Sequence, residues 1–240
     1  MTIKALLLAL VLPGIAQAAI CRDTEFEAQS YTVCDVAPSA DLRLFLGGDK
    51  GPYRNFSAID TALEAEGKEL AFAMNAGMFH RDLAPVGLYV ENGKQRTKLI
   101  TADGPGNFGL LPNGVFCVGN GFAVIESRSF AKRNPACRHA SQSGPMLVID
   151  GKLHPRFLPN SDSYHYRNGV GVARDGHALF VISNDRVNFH SLARFYRDVL
   201  GVQNALYFDG SISRLYAPEL NRHDAGFPMG PMIGLVKTKD

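Results

Sequence analysis

Apolar residues recur along this chain in short alternating or continuous runs of strand length. Runs rich in β-branched and aromatic residues predict strands at Tyr31–Val36, Leu42–Leu46, Leu70–Met74, Gly87–Val90, Gly114–Val118 and Phe122–Ile125. The same pattern continues at Met146–Ile149, Gly169–Ala173, Leu179–Ile182, Ala205–Phe208 and Met232–Val236. Turn signals such as Glu91-Asn92-Gly93 and Asp175-Gly176 separate several of them. Only two stretches follow the helical period. One begins at Ser57, with Asp60 as a capping-box partner, and stops at Gly67. The other starts near Asn188, carries Leu192, Phe195, Tyr196, Val199 and Leu200 on one face, and ends at Gly201. Many strands and few helices, out of strict alternation, predict an α+β fold: one domain built on a large mixed β-sheet. An all-parallel, doubly wound sheet fits the pattern less well.

The first nineteen residues follow a different rule. Lys4 supplies a positive charge, Ala5 to Leu12 is unbroken apolar sequence, and Pro13-Gly14 ends it. Ala16-Gln17-Ala18 then has the small-x-small form of a cleavage site. Residues 1–19 therefore read as a secretory signal peptide, and 20–240 as the exported domain, starting at Ala19 or Ile20. A lipid anchor on Cys21 is an alternative, but bulky Ile20 stands where a small residue is expected. The expected location is the periplasm or the exterior.

Cysteine usage agrees. Cys21, Cys34, Cys117 and Cys137 include no C-x-x-C pair that would suggest zinc or a redox motif. An even count in an oxidising compartment predicts two disulfides. Cys21–Cys34 and Cys117–Cys137 are favoured among the three pairings because each closes a short segment. The loop-entropy account gives each roughly 3 kcal/mol.

Charge narrows the class of partner. Lys and Arg number 25 against 23 Asp and Glu, so there is no basic field to hold nucleic acid. No apolar run reaches the ~20 residues of a membrane span. Trp is absent, which counts against a carbohydrate-binding module, although 15 Phe and 8 Tyr remain available to stack on sugars.

Several segments place polar residues and glycines where a strand runs out, a common position for a site. They are Asn75-Ala76-Gly77, Ser143-Gly144-Pro145-Met146, Arg167-Asn168-Gly169, Ser183-Asn184-Asp185 and Asp209-Gly210-Ser211. Each taken alone is as well explained by a turn. Arg167 stands out, since an arginine fork at a strand mouth suits phosphate or carboxylate. Other catalytic patterns are missing: there is no G-x-S-x-G, no phosphate loop and no H-E-x-x-H. The seven histidines show no paired metal-ligand spacing, and Asp162 lies in no calcium-binding loop. No cofactor is indicated, and a divalent cation stays open.

Taken in order, these segments resemble the phosphodiester glycosidase family. The resemblance rests on Asn75-Ala76-Gly77-Met78-Phe79, Ser143-Gly144-Pro145-Met146-Leu147-Val148, Arg167-Asn168-Gly169-Val170-Gly171-Val172, Asp209-Gly210-Ser211 and Gly230-Pro231-Met232-Ile233-Gly234, across roughly residues 68–237. It implies an α+β domain with its site at the strand mouths. It also implies a sugar-phosphate or glycan substrate, and a site lined by Asn75, Gly77, Arg167 and Asp209, with Ser211 beside them. Two departures stand out. Ala76 and Met78 replace a Gly and a Phe common in the family, and Ser211-Ile212 replaces a glycine pair. The leading expectation is a hydrolase that cleaves a sugar from phosphate, with Arg167 on the phosphate. Asp209 would be the catalytic carboxylate and Asp185 the reserve. The alternatives are a non-catalytic glycan- or phosphosugar-binding envelope protein and a polysaccharide export factor. The sequence leaves the oligomeric state open.

Overall fold

In the computed structural model, residues 20–48 and 51–239 are described. The proposed signal peptide lies outside them. Three antiparallel sheets carry the fold. The largest has seven strands in the order Ile20–Phe26, Gln29–Val36, Ala178–Ser183, Asn168–Val172, Asn204–Asp209, Met146–Ile149, Lys152–Leu153. A second contains Gly121–Glu126, Gly114–Gly119, His139–Ser143, Tyr89–Glu91 and Lys94–Thr97, in that order. The third runs Arg222–His223, Leu215–Ala217, Lys68–Asn75, Met232–Thr238, Leu42–Phe45.

The single α+β domain agrees with the sequence reading. The sheet arrangement corrects it: among the described residues the large sheet is all antiparallel, and it is one of several. Hairpins join some neighbours, but Gln29–Val36 pairs with Ala178–Ser183 and Lys68–Asn75 with Met232–Thr238, distant partners that the sequence pattern alone could not pair.

Strand alternation explains how the sheets pack. On the seven-stranded sheet, Cys34, Phe180, Ile182, Leu206 and Phe208 face the other two sheets. Their neighbours Val33, Val181, Ala205 and Tyr207 face the opposite way. One phenylalanine from each sheet meets at the centre: Phe180 packs 5.1 Å from Phe72 and 5.6 Å from Phe116 between ring centroids. Burial of such rings is a major favourable term. The outer face is covered by the helix Phe189–Arg194, continued as a π-helical turn at Phe195–Val199. Leu192, Phe195 and Tyr196 turn inward as expected, and Phe195 stacks on Tyr31 at 4.2 Å. Val199 instead stays exposed, because the π-turn shifts the register after Arg194.

The first helix, Phe56–Glu64, covers the third sheet through Phe56, Ile59 and Leu63. Its cap is Asn55, whose side chain accepts from the Ala58 amide at 2.9 Å. Asp60 is not a capping partner. Its carboxylate accepts from the Leu70 amide at 2.7 Å and so ties the helix to its sheet. Gly67 takes the left-handed conformation expected of it, at φ +66°. A third helix, Ser127–Arg133, was not foreseen from the periodicity.

Both disulfides form with the expected partners. Cys21 and Cys34 face each other across the first hairpin, 13 residues apart in sequence, and Cys117 and Cys137 are 20 apart.

The strand His139–Ser143 is entirely buried although its sequence is polar. Its first residue leads to a prediction. His139 accepts from the Asn92 amide through Nδ1 at 3.3 Å, and among the described residues its Nε2 has no hydrogen-bond partner. Burial, helped by the charge of Arg138, pushes its pKa down to about 4. The folded state thus binds fewer protons than the unfolded one. Stability contributed by neutral His139 is full above pH ~6.5 and falls by about 3 kcal/mol as pH drops toward 4. Urea midpoints for His139→Gln should lose most of this acid slope. An unchanged slope would assign acid sensitivity elsewhere.

Candidate active site

Three strand ends converge to build the site. Asn75 ends Lys68–Asn75, Asn168 begins Asn168–Val172, and Asp209 ends Asn204–Asp209, where it pairs in register with Asn168. The two asparagines are fully buried and satisfy each other. Asn168 Nδ2 donates to Asn75 Oδ1 at 2.9 Å and to the Asn75 carbonyl at 3.0 Å. The same Asn75 oxygen accepts from the Arg214 amide at 3.0 Å, and Asn168 Oδ1 accepts from the Asp209 amide at 3.1 Å. Buried amides must find partners or cost about 1–3 kcal/mol each. This network therefore fixes where the turn from Asp209 to Arg214 leaves the sheet.

That turn opens onto a cleft of about 540 Å³. Its walls include Tyr166, Asn184, Ser213, Arg214, Arg222 and Asp224. Arg222 is held on every side: both Asp224 carboxylate oxygens accept from it at 3.0 Å, and Asn184 Oδ1 and Thr32 Oγ1 accept at 2.7 and 2.9 Å. Arg214 differs. Its Nη1 donates to the Phe227 carbonyl, and among the described residues no carboxylate forms an ion pair with it. Burial pulls its pKa down, with Asp224 opposing. Gly226 leaves it room, since a Cβ there would come within 2.4 Å of Nη2. With two guanidiniums against the one carboxylate, the cleft has an excess of positive charge suited to a phosphate.

Asp209 sits just behind this wall. Its Oδ1 accepts from the Gly210 amide at 2.6 Å and the Ser211 amide at 2.9 Å. Burial outweighs these bonds and raises its carboxyl pKa above the usual range. Gly210 is needed here, because a Cβ would come within 2.1 Å of the Tyr207 hydroxyl.

The other expected residues take different places. Arg167 is fully buried behind the cleft, not open to it. It donates through Nε to the Val187 carbonyl at 2.9 Å, through Nη2 to the Ser163 carbonyl at 2.8 Å, and through Nη1 to the Tyr207 hydroxyl at 3.1 Å. Its guanidinium stacks 3.8 Å above the Phe189 ring. Each of its three guanidinium nitrogens thus has a protein partner in this structure. Gly77 is buried at φ +148°, where a Cβ would lie 2.9 Å from Ser141 Oγ. Close packing on the strand His139–Ser143 thus demands glycine there. Ser211 is exposed on the Asp209 turn. Asp185 is exposed and accepts from the Ser30 amide at 2.8 Å, while its neighbour Asn184 reaches the cleft.

Arg214, Arg222 and Asp224 are the cleft residues that the sequence pattern did not single out, and Asn168 stood out only as part of the segment Arg167-Asn168-Gly169. The signal for Arg214 was its place on the turn after Asp209. Arg222 and Asp224 carried only the weak signal of charged residues shortly before Gly226. Among the described residues, no group of three or more His, Cys, Asp or Glu is placed to hold a metal ion. No helix there is long and apolar enough to cross a membrane.

Known proteins resemble this chain in sequence or fold. The uncharacterized protein YigE of Escherichia coli strain K12 is 41% identical over 149 residues, covering 62% of this chain and 58% of YigE. The match thus spans less than two thirds of that relative. The catalytic domain of zebrafish N-acetylglucosamine-1-phosphodiester alpha-N-acetylglucosaminidase, auto-inhibited by its pro-peptide, superposes with a TM-score of 0.63. That likeness covers 90% of this chain and 81% of the zebrafish domain at 12% identity. A candidate exported protein from Burkholderia pseudomallei gives a TM-score of 0.56 at 12% identity, covering 86% of this chain and 74% of its own. At such identities these two structures speak for the fold alone. The family model of the phosphodiester glycosidases matches residues 68–236, a span that includes Asn75, Asn168, Asp209, Arg214 and Arg222, and the chain belongs to that family.

Proposed function

We propose that this protein is an exported hydrolase that cleaves the bond between a sugar and phosphate in a sugar phosphodiester. Arg214 carries the reading: a guanidinium in the cleft wall with no carboxylate ion pair among the described residues leaves charge for a phosphate. Family membership, with two disulfides that suit an oxidising compartment, supports the substrate class and a periplasmic or secreted setting.

In this reading Arg214 holds the phosphate and Asp209 serves the sugar. Water attacks the anomeric carbon, its proton passes to Asp209, and the carbon–oxygen bond to phosphate breaks. The electron pair leaves with the phosphate monoester. An ordinary glycosidase adds a second carboxyl group to protonate its alcohol leaving group. A phosphate monoester, with its second pKa about 6, leaves as a stable anion without that help. The alternative in which Asp209 attacks directly uses the same residues. Hydrolysis of a hexose nitrophenyl phosphodiester in heavy-oxygen water tests the scheme by product mass. Label in the sugar supports it, and label in the phosphate makes the protein a phosphodiesterase.

Arg214→Lys should lower kcat/KM about a hundredfold, or ~2.7 kcal/mol, since a point charge replaces a fork. Most of the loss should fall on KM. A variant within twofold of wild type would remove Arg214 from the phosphate.

The second reading, a non-catalytic binder of phosphosugars, is favoured by the two turn amides that occupy Asp209 Oδ1. Saturable binding of the same compound with no product would establish it.

A further inference from the structure

The loop beside the cleft shows two large aromatic rings to solvent. Tyr164 is 41% exposed and Tyr166 53% exposed, and Tyr166 also lines the cleft. The backbone that carries them is tied down at each residue. The Tyr164 carbonyl accepts from Arg186 at 3.1 and 2.8 Å through Nε and Nη2. His165 pairs with Val187 through both amides, at 3.1 and 2.9 Å. The Tyr166 carbonyl accepts from Ser213 Oγ at 2.9 Å.

Strand-like pairing at His165 sends the side chains on either side of it to one face of the backbone. Their Cα atoms are then roughly 6.6 Å apart. Neither hydroxyl makes a hydrogen bond and neither ring packs on another aromatic among the described residues. Such rings are amphipathic, with an apolar face and a wet edge, and lose little conformational freedom on binding.

We propose that Tyr164 and Tyr166 form a stacking platform for sugar rings, continuous with the phosphate-binding cleft. The substrate is then a glycan chain joined to phosphate rather than a single sugar. Rigid attachment favours this occupant, because a pre-organised surface adds affinity without an ordering cost. Continuity with Arg214 and Arg222 places the chain next to its phosphate. The inference rests on the proposed sugar phosphodiester chemistry for its substrate, but its test separates the two.

Nitrophenyl phosphodiesters of a monosaccharide and of the matching tetrasaccharide, in the glucose, mannose and N-acetylglucosamine series, serve as probes. In at least one series, wild-type kcat/KM should be about tenfold higher for the tetrasaccharide, through KM. Tyr164→Ala should abolish that advantage and leave the monosaccharide rate within twofold. Tyr164→Phe should keep it, since the ring face remains. Calorimetric binding of the same compounds gives the same comparison if none is hydrolysed. Length-dependent binding without turnover would keep the platform and sink the hydrolase reading. Turnover or binding indifferent to chain length in all three series would overturn the platform, as expected of a surface for a protein partner or a second copy. Equal loss on both probes in Tyr164→Ala would overturn it too.

Discussion

Asp209→Asn should lower kcat/KM on a sugar phosphodiester by about a thousandfold, within the range spanned by loss of a general base. The substitution is nearly isosteric, and an amide oxygen can still accept from Gly210 and Ser211. The turn that carries Ser213 and Arg214 should therefore survive, with substrate affinity close to wild type. What disappears is the ionisable oxygen. Because burial raises the Asp209 pKa, the acid limb of the wild-type rate should lie above the usual carboxylate range. Activity on that limb rises with pH as the group loses its proton. The Asn variant should lack the limb altogether. A folded variant that turns over at the wild-type rate would remove Asp209 from the chemistry. Asp224→Asn supplies the contrast, since Asp224 lines the cleft and pairs with Arg222. Its loss should loosen Arg222 and raise KM. If kcat collapses in Asp224→Asn and not in Asp209→Asn, the catalytic carboxylate is Asp224.

The sequence made visible what depends on local pattern. Strands such as Met146–Ile149 and Ala178–Ser183 carry apolar runs that no other element explains, so their existence and type could be read directly. His139–Ser143 could not, because it is polar and buried at once. Ser141 donates to the Ala76 carbonyl, Ser143 to the Phe208 carbonyl at 2.9 Å, and Gln142 to Ser127 Oγ at 2.8 Å. Partners so distant in the chain turn a loop-like composition into a central strand.

The site divides in the same way. Asn75 and Asp209 were legible because they end strands. Arg214, Arg222 and Asp224 were not, because their roles come from the third sheet meeting the first across the cleft. Arg167 was legible as important but not as buried. Strand position announces a charged residue without saying which way its side chain turns.

Arg167 gives the second large effect, on stability. Arg167→Leu should destabilise the fold by about 3 kcal/mol, the order expected when two buried acceptors and a half-buried one lose a charged donor. The Val187 carbonyl, the Ser163 carbonyl and the Tyr207 hydroxyl would each lose a partner, and leucine could offer none. Phe189 would also lose the guanidinium stacked on it. Arg167→Lys should fall between wild type and Leu, because one ammonium cannot span three acceptors set around a planar fork. In thermal melts the Leu change corresponds to a drop of roughly 6–12 °C for a domain of this size. Part of the activity should go with it, since Ser163 leads directly into the Tyr164–Tyr166 loop at the cleft. The contrary outcome is specific. If Arg167→Lys melts at the wild-type temperature yet loses binding of the phosphodiester, the guanidinium leaves its buried partners to hold the phosphate.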